Sequence, residues 1–211
     1  MSKPDYALYL VTDASCVAAD SLLAAVAKAL AGGVTMLQLR EKELASRAFY
    51  EEALAMKQLA HQYHVPLIIN DRLDIALACD ADGLHVGQQD LPVAAARRLL
   101  GPDKLIGASV QTVAEAIQAQ HDGADYLGVG AMFATATKPD ALPVSRETLQ
   151  GICEAVSVPL VLIGGLNEQT LPAFKGEPVE GVAVVSAILA NPDPKHAAQK
   201  LRQQVKAVLG V

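Results

Sequence analysis

The chain has 211 residues, of which 52% are hydrophobic and only 4% aromatic, and its formal net charge is −6. This length suits one compact domain with a full core, and we expect residues 1–211 to form a single domain. The negative charge disfavours a nucleic-acid-binding surface, so an anionic ligand would have to be held by a local positive site.

Short apolar runs rich in Val, Ile and Leu recur along the chain with little alternation, which is typical of strands covered on both faces. They predict eight strands, at 6–12, 34–39, 66–69, 83–86, 105–108, 125–129, 159–163 and 181–185. Apolar residues at three- and four-residue spacing predict helices at 20–31, 46–63, 92–100, 112–122 and 195–209. Asp20, Ser46 and Thr112 stand at N-cap positions, and Pro92 suits a first helical turn.

The alternation of strands and helices predicts an α/β fold. Eight units favour a single-domain (β/α)₈ TIM barrel, and the competing architecture is an open doubly wound sheet. No GxGxxG motif follows the first strand to support that second architecture. The segment 131–145 fits no element and contains two prolines, so it predicts a long loop after the sixth strand, and such loops are usually functional.

Polar residues cluster where the predicted strands end, and a parallel barrel builds its active site at those ends. In the run QLREK, Gln38, Arg40 and Lys42 alternate out of a buried strand and should point to one side. Two cations and an amide on one face suit a polyphosphate, since Arg can grip it bidentately and Lys adds a compact charge. The alternative is an ordinary solvated strand end.

Two carboxylates follow neighbouring strands and could hold one Mg²⁺, which prefers a few carboxylates together with substrate phosphate oxygens and water. They are Asp71, in the run Asn70-Asp71-Arg72, and Asp90. The sequence does not separate Mg²⁺ from Mn²⁺. As alternatives, Asp90 could cap the following helix, and Asp71 could form a salt bridge to Arg72 or Arg40.

The last two strands end in small residues, Gly164-Gly165 and Val185-Ser186, where barrels commonly build a phosphate site from backbone N–H groups. Thr135, Thr137 and Lys138 lie on the long loop, where hydroxyls and a cation fit a lid over an anionic substrate. An ordinary polar loop is the alternative. His85 lies inside a strand and reads as a hydrogen-bonded interior residue more than as a base.

Together these segments resemble the thiamine-phosphate synthase family. The matches are LYLVTD (8–13), GGVTMLQLREK (32–42), PLIINDRLDIALACDADGLHVGQQDLP (66–92), IGAS (106–109), GADYLGVGAMFATATK (123–138), IGG (163–165) and GVAVVSAI (181–188). They span nearly the whole chain in the order of the family. Gln111 stands where many relatives are expected to have His, outside the core set of motifs.

The resemblance implies a (β/α)₈ barrel that joins a hydroxymethylpyrimidine diphosphate to a thiazole phosphate, giving thiamine phosphate and pyrophosphate. It implies that the pyrimidine diphosphate is bound by Gln38, Leu39, Arg40, Glu41, Lys42, Asn70, Ser109 and Lys138. Among these, the catalytic groups would be Arg40, Lys42, Ser109 and Lys138. It implies that the thiazole phosphate is bound by Thr135, Ala136, Thr137, Gly165, Val185 and Ser186. Asp71 and Asp90 would be the ligands of Mg²⁺.

Three other functions stay open at this point. A thiazole tautomerase would need a general acid or base in place of the diphosphate site. A barrel acting on small sugar phosphates would explain the glycine-rich site but leave the paired aspartates without a role. A regulatory barrel that senses thiamine intermediates would bind both substrates without releasing pyrophosphate.

The expected partners are the two phosphorylated small molecules, with no nucleic acid and no membrane. The three cysteines, Cys16, Cys79 and Cys153, are widely spaced and show no disulfide or CxxC pattern, which indicates a reducing compartment. The N-terminal residues do not resemble a signal peptide, and the apolar stretches fall short of a membrane span. We therefore expect a cytoplasmic protein. The oligomeric state is open, with a homo-oligomer among the alternatives.

Overall fold

A computed structural model describes residues 4–17, 21–135 and 143–211. Its eight strands form one closed parallel barrel in chain order. They are β1 (Leu8–Val11), β2 (Met36–Leu39), β3 (Leu67–Asn70), β4 (Gly83–Val86), β5 (Leu105–Val110), β6 (Tyr126–Val129), β7 (Leu160–Ile163) and β8 (Gly181–Val184). Because β1 pairs with both β2 and β8, the (β/α)₈ barrel is confirmed and the open doubly wound sheet is wrong.

The described residues form eight α-helices. They are α1 (Leu22–Ala31), α2 (Ser46–Gln62), α3 (Leu73–Ala78), α4 (Val93–Leu100), α5 (Val113–His121), α6 (Arg146–Ala155), α7 (Ser186–Leu189) and α8 (Pro194–Leu209). Short 3-10 helices cover Ala14–Cys16 and Leu171–Phe174. Three helices, α3, α6 and α7, went unpredicted, and α3 and α7 are too short to show a helical period.

The predicted N-caps had mixed outcomes. Thr112 is confirmed as the N-cap of α5, where it forms a capping box with Glu115. The prediction of Ser46 as an N-cap is wrong by one residue. Ser46 is the first helical residue, and Ala45 occupies the N-cap position without a side-chain hydrogen bond. Pro92 lies just before the start of α4. Asp20 lies outside the described residues.

The barrel divides the core into an inner and an outer layer, because successive strand residues point to opposite faces of the sheet. The outer layer packs the helices against the strands and includes Leu39 and Phe49, both fully buried. The inner layer fills the barrel with larger side chains, among them Tyr9, Met36 and Tyr126. In the described part of the chain, no helix is both long and apolar enough to cross a membrane.

The closed ladder fixes where each strand ends, and β5 extends two residues beyond its predicted end, to Val110. Gln38, Asn70 and Ser109 are therefore strand residues held by the ladder. β6 ends at Val129 and α6 begins at Arg146, which agrees with the flanks of the long loop predicted at 131–145, and residues 136–142 of that segment lie outside the described residues.

Candidate functional site

A cavity of about 930 Å³ opens at the C-terminal ends of the strands. Most of the predicted site residues line it. They are Gln38, Arg40, Lys42, Asn70, Asp71, Asp90, Ser109, Thr135, Gly165, Val185 and Ser186. Ala136, Thr137 and Lys138 lie outside the described residues.

The residues that follow β2 alternate as the sequence predicts. Gln38, Arg40 and Lys42 line the cavity. Leu39 is fully buried in the outer core and does not line the cavity, so its side chain is not available to a ligand there. Glu41 does not line the cavity either, and burial, reinforced by the nearby Glu52, raises the pKa of its carboxyl.

The two cations of this run are held by carboxylates. The Arg40 guanidinium lies 3.5 Å from an Asp13 carboxylate oxygen, and the Arg40 backbone N–H donates to the Thr12 hydroxyl at 2.9 Å. The Lys42 ammonium donates to Asp71 Oδ2 at 2.6 Å, although about half of the Lys42 side chain is exposed. Both cations therefore face the same mouth, and the long exposed Lys42 can change partner.

The backbone around Asp71 directs its carboxylate toward the mouth. Asp71 has φ 61°, a left-handed conformation, and its N–H donates to the His85 carbonyl at 2.8 Å. The suggested salt bridges from Asp71 to Arg72 or Arg40 are wrong, because Asp71 pairs with Lys42 and Arg72 pairs with Asp74.

Asp90 reaches the same place from the loop after β4. Its Oδ2 accepts from the Gly87 backbone N–H at 2.9 Å, and Pro92 occupies the N-cap position of α4, so the helix-capping alternative is wrong. Burial, together with hydrogen bonding and charge repulsion from Asp71, raises the pKa of the Asp90 carboxyl. Two carboxylates held against each other in this way suit an oxygen-preferring cation.

Within residues 4–17, 21–135 and 143–211, no group of three or more His, Cys, Asp or Glu side chains converges as a metal site. Asp71 and Asp90 thus form a two-carboxylate set. Such a set suits Mg²⁺, which completes its coordination with substrate phosphate oxygens and water.

Asn70 and Ser109 lie deeper in the cavity, at the ends of β3 and β5. Asn70 is 9% exposed, so its amide can meet a ligand only inside the cavity. The Ser109 hydroxyl lies 2.9 Å from His85 Nε2. His85 is 7% exposed, which confirms the sequence-based interpretation of an interior, hydrogen-bonded histidine.

The opposite side of the mouth is built from small residues. Gly165 has φ 65°, and a Cβ there would lie 2.7 Å from Phe133 Cβ and 2.9 Å from the Ala134 carbonyl oxygen. Glycine at 165 therefore lets the start of the long loop approach the end of β7. Val185 and Ser186 follow β8, and the short helix α7 begins at Ser186.

Several cavity-lining residues were missed or given no role by the sequence interpretation. They include Gln88, Gln89, Gln111, Asn167 and His85. The pair Gln88-Gln89 directly precedes Asp90, so its position after a strand was a signal that could have found it. The Gln88 amide donates to the Ser109 carbonyl at 2.8 Å and thereby links two neighbouring strand ends.

The fold and the cavity together indicate the class of protein. A closed parallel barrel carries cations and paired carboxylates on one side of its mouth and glycine-rich strand ends on the other, a design suited to phosphorylated small molecules. The sequence model of the thiamine monophosphate synthase family matches residues 8–188. The chain belongs to this family.

Individual relatives agree over nearly full length. The chain is 53% identical to the thiamine-phosphate synthase of Ruminiclostridium cellulolyticum over 200 residues, covering 95% of each chain. It is 46% identical to the thiamine-phosphate synthase of Clostridium acetobutylicum, covering 100% of this chain and 97% of that one. Among solved structures, the thiamine phosphate pyrophosphorylase of Pyrococcus furiosus superposes with a TM-score of 0.89 at 38% identity, covering 98% of both chains.

A solved 3-hexulose-6-phosphate synthase also superposes, with a TM-score of 0.69 at 19% identity, covering 94% of this chain and 99% of that one. This likeness concerns the fold alone, because barrels of one architecture host many chemistries.

Proposed function

We propose that the protein is a thiamine-phosphate synthase. It would condense 4-amino-2-methyl-5-(diphosphooxymethyl)pyrimidine with 4-methyl-5-(2-phosphooxyethyl)thiazole to give thiamine phosphate and pyrophosphate. With the carboxylated form of the thiazole, CO₂ would be released as a third product. The observation that carries this proposal is a single cavity with two unlike sides, each of which is suited to an anion. One side supplies Arg40, Lys42, Asp71 and Asp90, and the other is built around Gly165 and Ser186.

The diphosphate side would bind the pyrimidine substrate. Arg40 can grip a diphosphate through two parallel hydrogen bonds, and Lys42 can add a point charge after leaving Asp71. Asn70, Gln38 and Ser109 lie deeper and would orient the pyrimidine ring. On the sequence resemblance we add Lys138 to this set, as a cation that closes over the substrate.

We also propose that Asp71 and Asp90 hold Mg²⁺. Their donor set fits, since two carboxylates kept side by side repel each other and a divalent cation relieves that repulsion. When bound, the ion would neutralise charge that builds up on a departing diphosphate.

The opposite side would bind the phosphate of the thiazole. Gly165, Val185 and Ser186 can offer backbone N–H groups and a hydroxyl, in the place where barrels of this type commonly hold phosphate. Thr135 lines the same cavity. On the sequence resemblance, Ala136 and Thr137 complete this set.

In the reaction we propose, the bond between the methylene carbon and the diphosphate oxygen breaks, and its electron pair leaves with the pyrophosphate. The resulting pyrimidine-methyl cation is stabilised by the ring amino group, and the thiazole nitrogen then donates its lone pair to form the new C–N bond. No protein nucleophile is needed. Arg40 and Lys42 stabilise the leaving group electrostatically, while the cavity walls align the two rings and exclude water.

The first experiment measures pyrophosphate release from the purified protein with both substrates and Mg²⁺, with EDTA and single-substrate controls. We expect release that requires both substrates and the metal. Binding of both substrates without release would favour a sensor of thiamine intermediates. Conversion of one thiazole phosphate tautomer into another, without coupling, would favour the tautomerase.

The glycine-rich side provides a separate prediction. Gly165→Ala should raise KM for the thiazole phosphate at least about tenfold, because the added methyl group would push against Phe133 and the Ala134 carbonyl. KM for the pyrimidine diphosphate should change much less. Steady-state kinetics with each substrate varied in turn would measure both.

Gly176→Ala is the matched control. Gly176 also has a positive φ, 83°, but a Cβ there would meet nothing within 4 Å. Gly176→Ala therefore imposes the conformational cost of a positive φ on alanine, without a steric collision of the added methyl group. An equal rise in the thiazole KM in both variants would contradict the placement of the phosphate at Gly165.

We further propose that residues 1–211 act as one catalytic domain in the cytoplasm. The three cysteines are all free thiols, which fits a reducing compartment.

A further inference from the structure

A chain of hydrogen-bonded side chains crosses the interior of the barrel beneath the cavity. The Gln38 amide nitrogen donates to the Tyr9 hydroxyl at 2.7 Å, and the Tyr9 and Tyr126 hydroxyls lie 2.8 Å apart. The Tyr126 hydroxyl lies 3.1 Å from His85 Nδ1, and His85 Nε2 lies 2.9 Å from the Ser109 hydroxyl. The hydrogen-bonded chain therefore joins Gln38 and Ser109 through Tyr9, Tyr126 and His85, of which only His85 also lines the cavity.

The donors and acceptors of this chain can be ordered from one end. Gln38 donates to Tyr9, so the Tyr9 proton goes to its other partner, Tyr126. Burial raises the pKa of both tyrosines, so each keeps its proton. A buried hydroxyl proton without an acceptor is costly, and the Tyr126 proton is accordingly donated to His85 Nδ1.

This order of donors and acceptors determines which ring nitrogen of His85 carries the proton. A neutral imidazole that accepts at Nδ1 carries its proton on Nε2, and that N–H donates to the Ser109 oxygen. The Ser109 proton is then available to a ligand. At the other end, one N–H of the Gln38 amide is donated to Tyr9, which fixes the orientation of the amide and so places its carbonyl oxygen as the acceptor available to a ligand.

The packing around these hydrogen-bonded side chains leaves their rings little room to move. A Cβ on Gly107 would lie 2.2 Å from Tyr126 Cζ and 2.4 Å from His85 Nδ1, so only glycine lets these two rings meet over β5. The Tyr126 ring is also held by Tyr6 and Tyr9, with centroids 5.1 Å and 5.9 Å away.

We propose that Tyr9, Tyr126 and His85 are positioning residues, which hold His85 as the Nε2–H tautomer and so present an acceptor at Gln38 and a donor at Ser109. The inference rests on the proposed function in assigning these two groups to the pyrimidine substrate. Tyr9, Tyr126 and His85 act through Gln38 and Ser109.

The first test measures the tautomer directly, by ¹⁵N NMR of the His85 ring in the substrate-free protein. We expect the neutral Nε2–H form in the wild type and a mixture of tautomers in Tyr126→Phe, which removes only the central hydroxyl. The control is Tyr6→Phe, because Tyr6 packs on the same ring but its hydroxyl lies outside the chain. A wild-type protein with the proton on Nδ1 would reverse the direction of every bond and overturn the proposal.

The second test measures kinetics on the same variants. Tyr126→Phe should lower kcat/KM for the pyrimidine diphosphate by about tenfold to a hundredfold and leave KM for the thiazole phosphate close to wild type. In Tyr6→Phe, both kinetic constants and the melting temperature should stay close to wild type. Equal losses in both variants would indicate a packing role and overturn the proposal. If the wild type shows no turnover, the proposed function fails, and the NMR result still decides the tautomer.

Discussion

Asp71→Asn should lower kcat by about a hundredfold to a thousandfold and raise the Mg²⁺ concentration needed for half-maximal rate. The substitution keeps the shape of the side chain but removes one of the two charges available to the ion, and metal-assisted charge stabilisation amounts to several kcal/mol. The measurement is pyrophosphate release as a function of Mg²⁺ concentration at saturating substrates.

The loss should not come from unfolding. The substitution also removes the ion pair with Lys42, but the Lys42 side chain is 51% exposed, and pairs of this kind contribute roughly 0–1 kcal/mol. The melting temperature should therefore stay close to wild type. Asp74→Asn is the control, since Asp74 lies three residues away on α3 and pairs with Arg72 outside the cavity lining. Near-wild-type turnover of Asp71→Asn would contradict the metal assignment.

Arg40→Ala should lower kcat/KM for the pyrimidine diphosphate by about a hundredfold to a thousandfold. Each charge-assisted hydrogen bond contributes about 1.5–3 kcal/mol, and a bidentate grip supplies two of them. Arg40→Lys should recover part of the loss, because lysine keeps the charge but not the paired donors. The thiazole phosphate KM should stay nearly unchanged in both variants.

Arg72→Ala tests whether any cation near the mouth would serve. Arg72 follows the end of β3, but it bonds to Ser46 and Asp74 and does not line the cavity. Removing it changes the net charge as Arg40→Ala does. If both variants lost activity equally, a general electrostatic field would explain the effect and the direct contact would be refuted.

Much of the barrel could be predicted from the sequence, because strands buried on both faces leave unbroken runs of Val, Ile and Leu. The helix α3 could not, since six residues between two strands are too few to show a period. Alternation correctly placed Gln38, Arg40 and Lys42 on one side. Leu39 and Glu41 entered the predicted set through the family motif, although the same alternation turns their side chains away from the cavity.

A sequence pattern cannot predict the chain of hydrogen-bonded side chains inside the barrel. Tyr9 and Tyr126 are 117 residues apart, and only the register of the closed barrel brings their hydroxyls together. A glycine such as Gly107 gives no sign in the sequence that two rings cross above it. Side chains that interact across the barrel interior depend on shear and register, which local patterns do not encode.

The ion pair between Lys42 and Asp71 lets these two side chains neutralise each other before any ligand arrives. A bare diphosphate would draw Lys42 away and leave the charge of Asp71 beside that of Asp90 without a counterion. A bare cation would displace Lys42 and leave it without its partner. A cation and a diphosphate that enter as one complex would supply both side chains with new partners at once, so we expect joint entry in preference to stepwise entry.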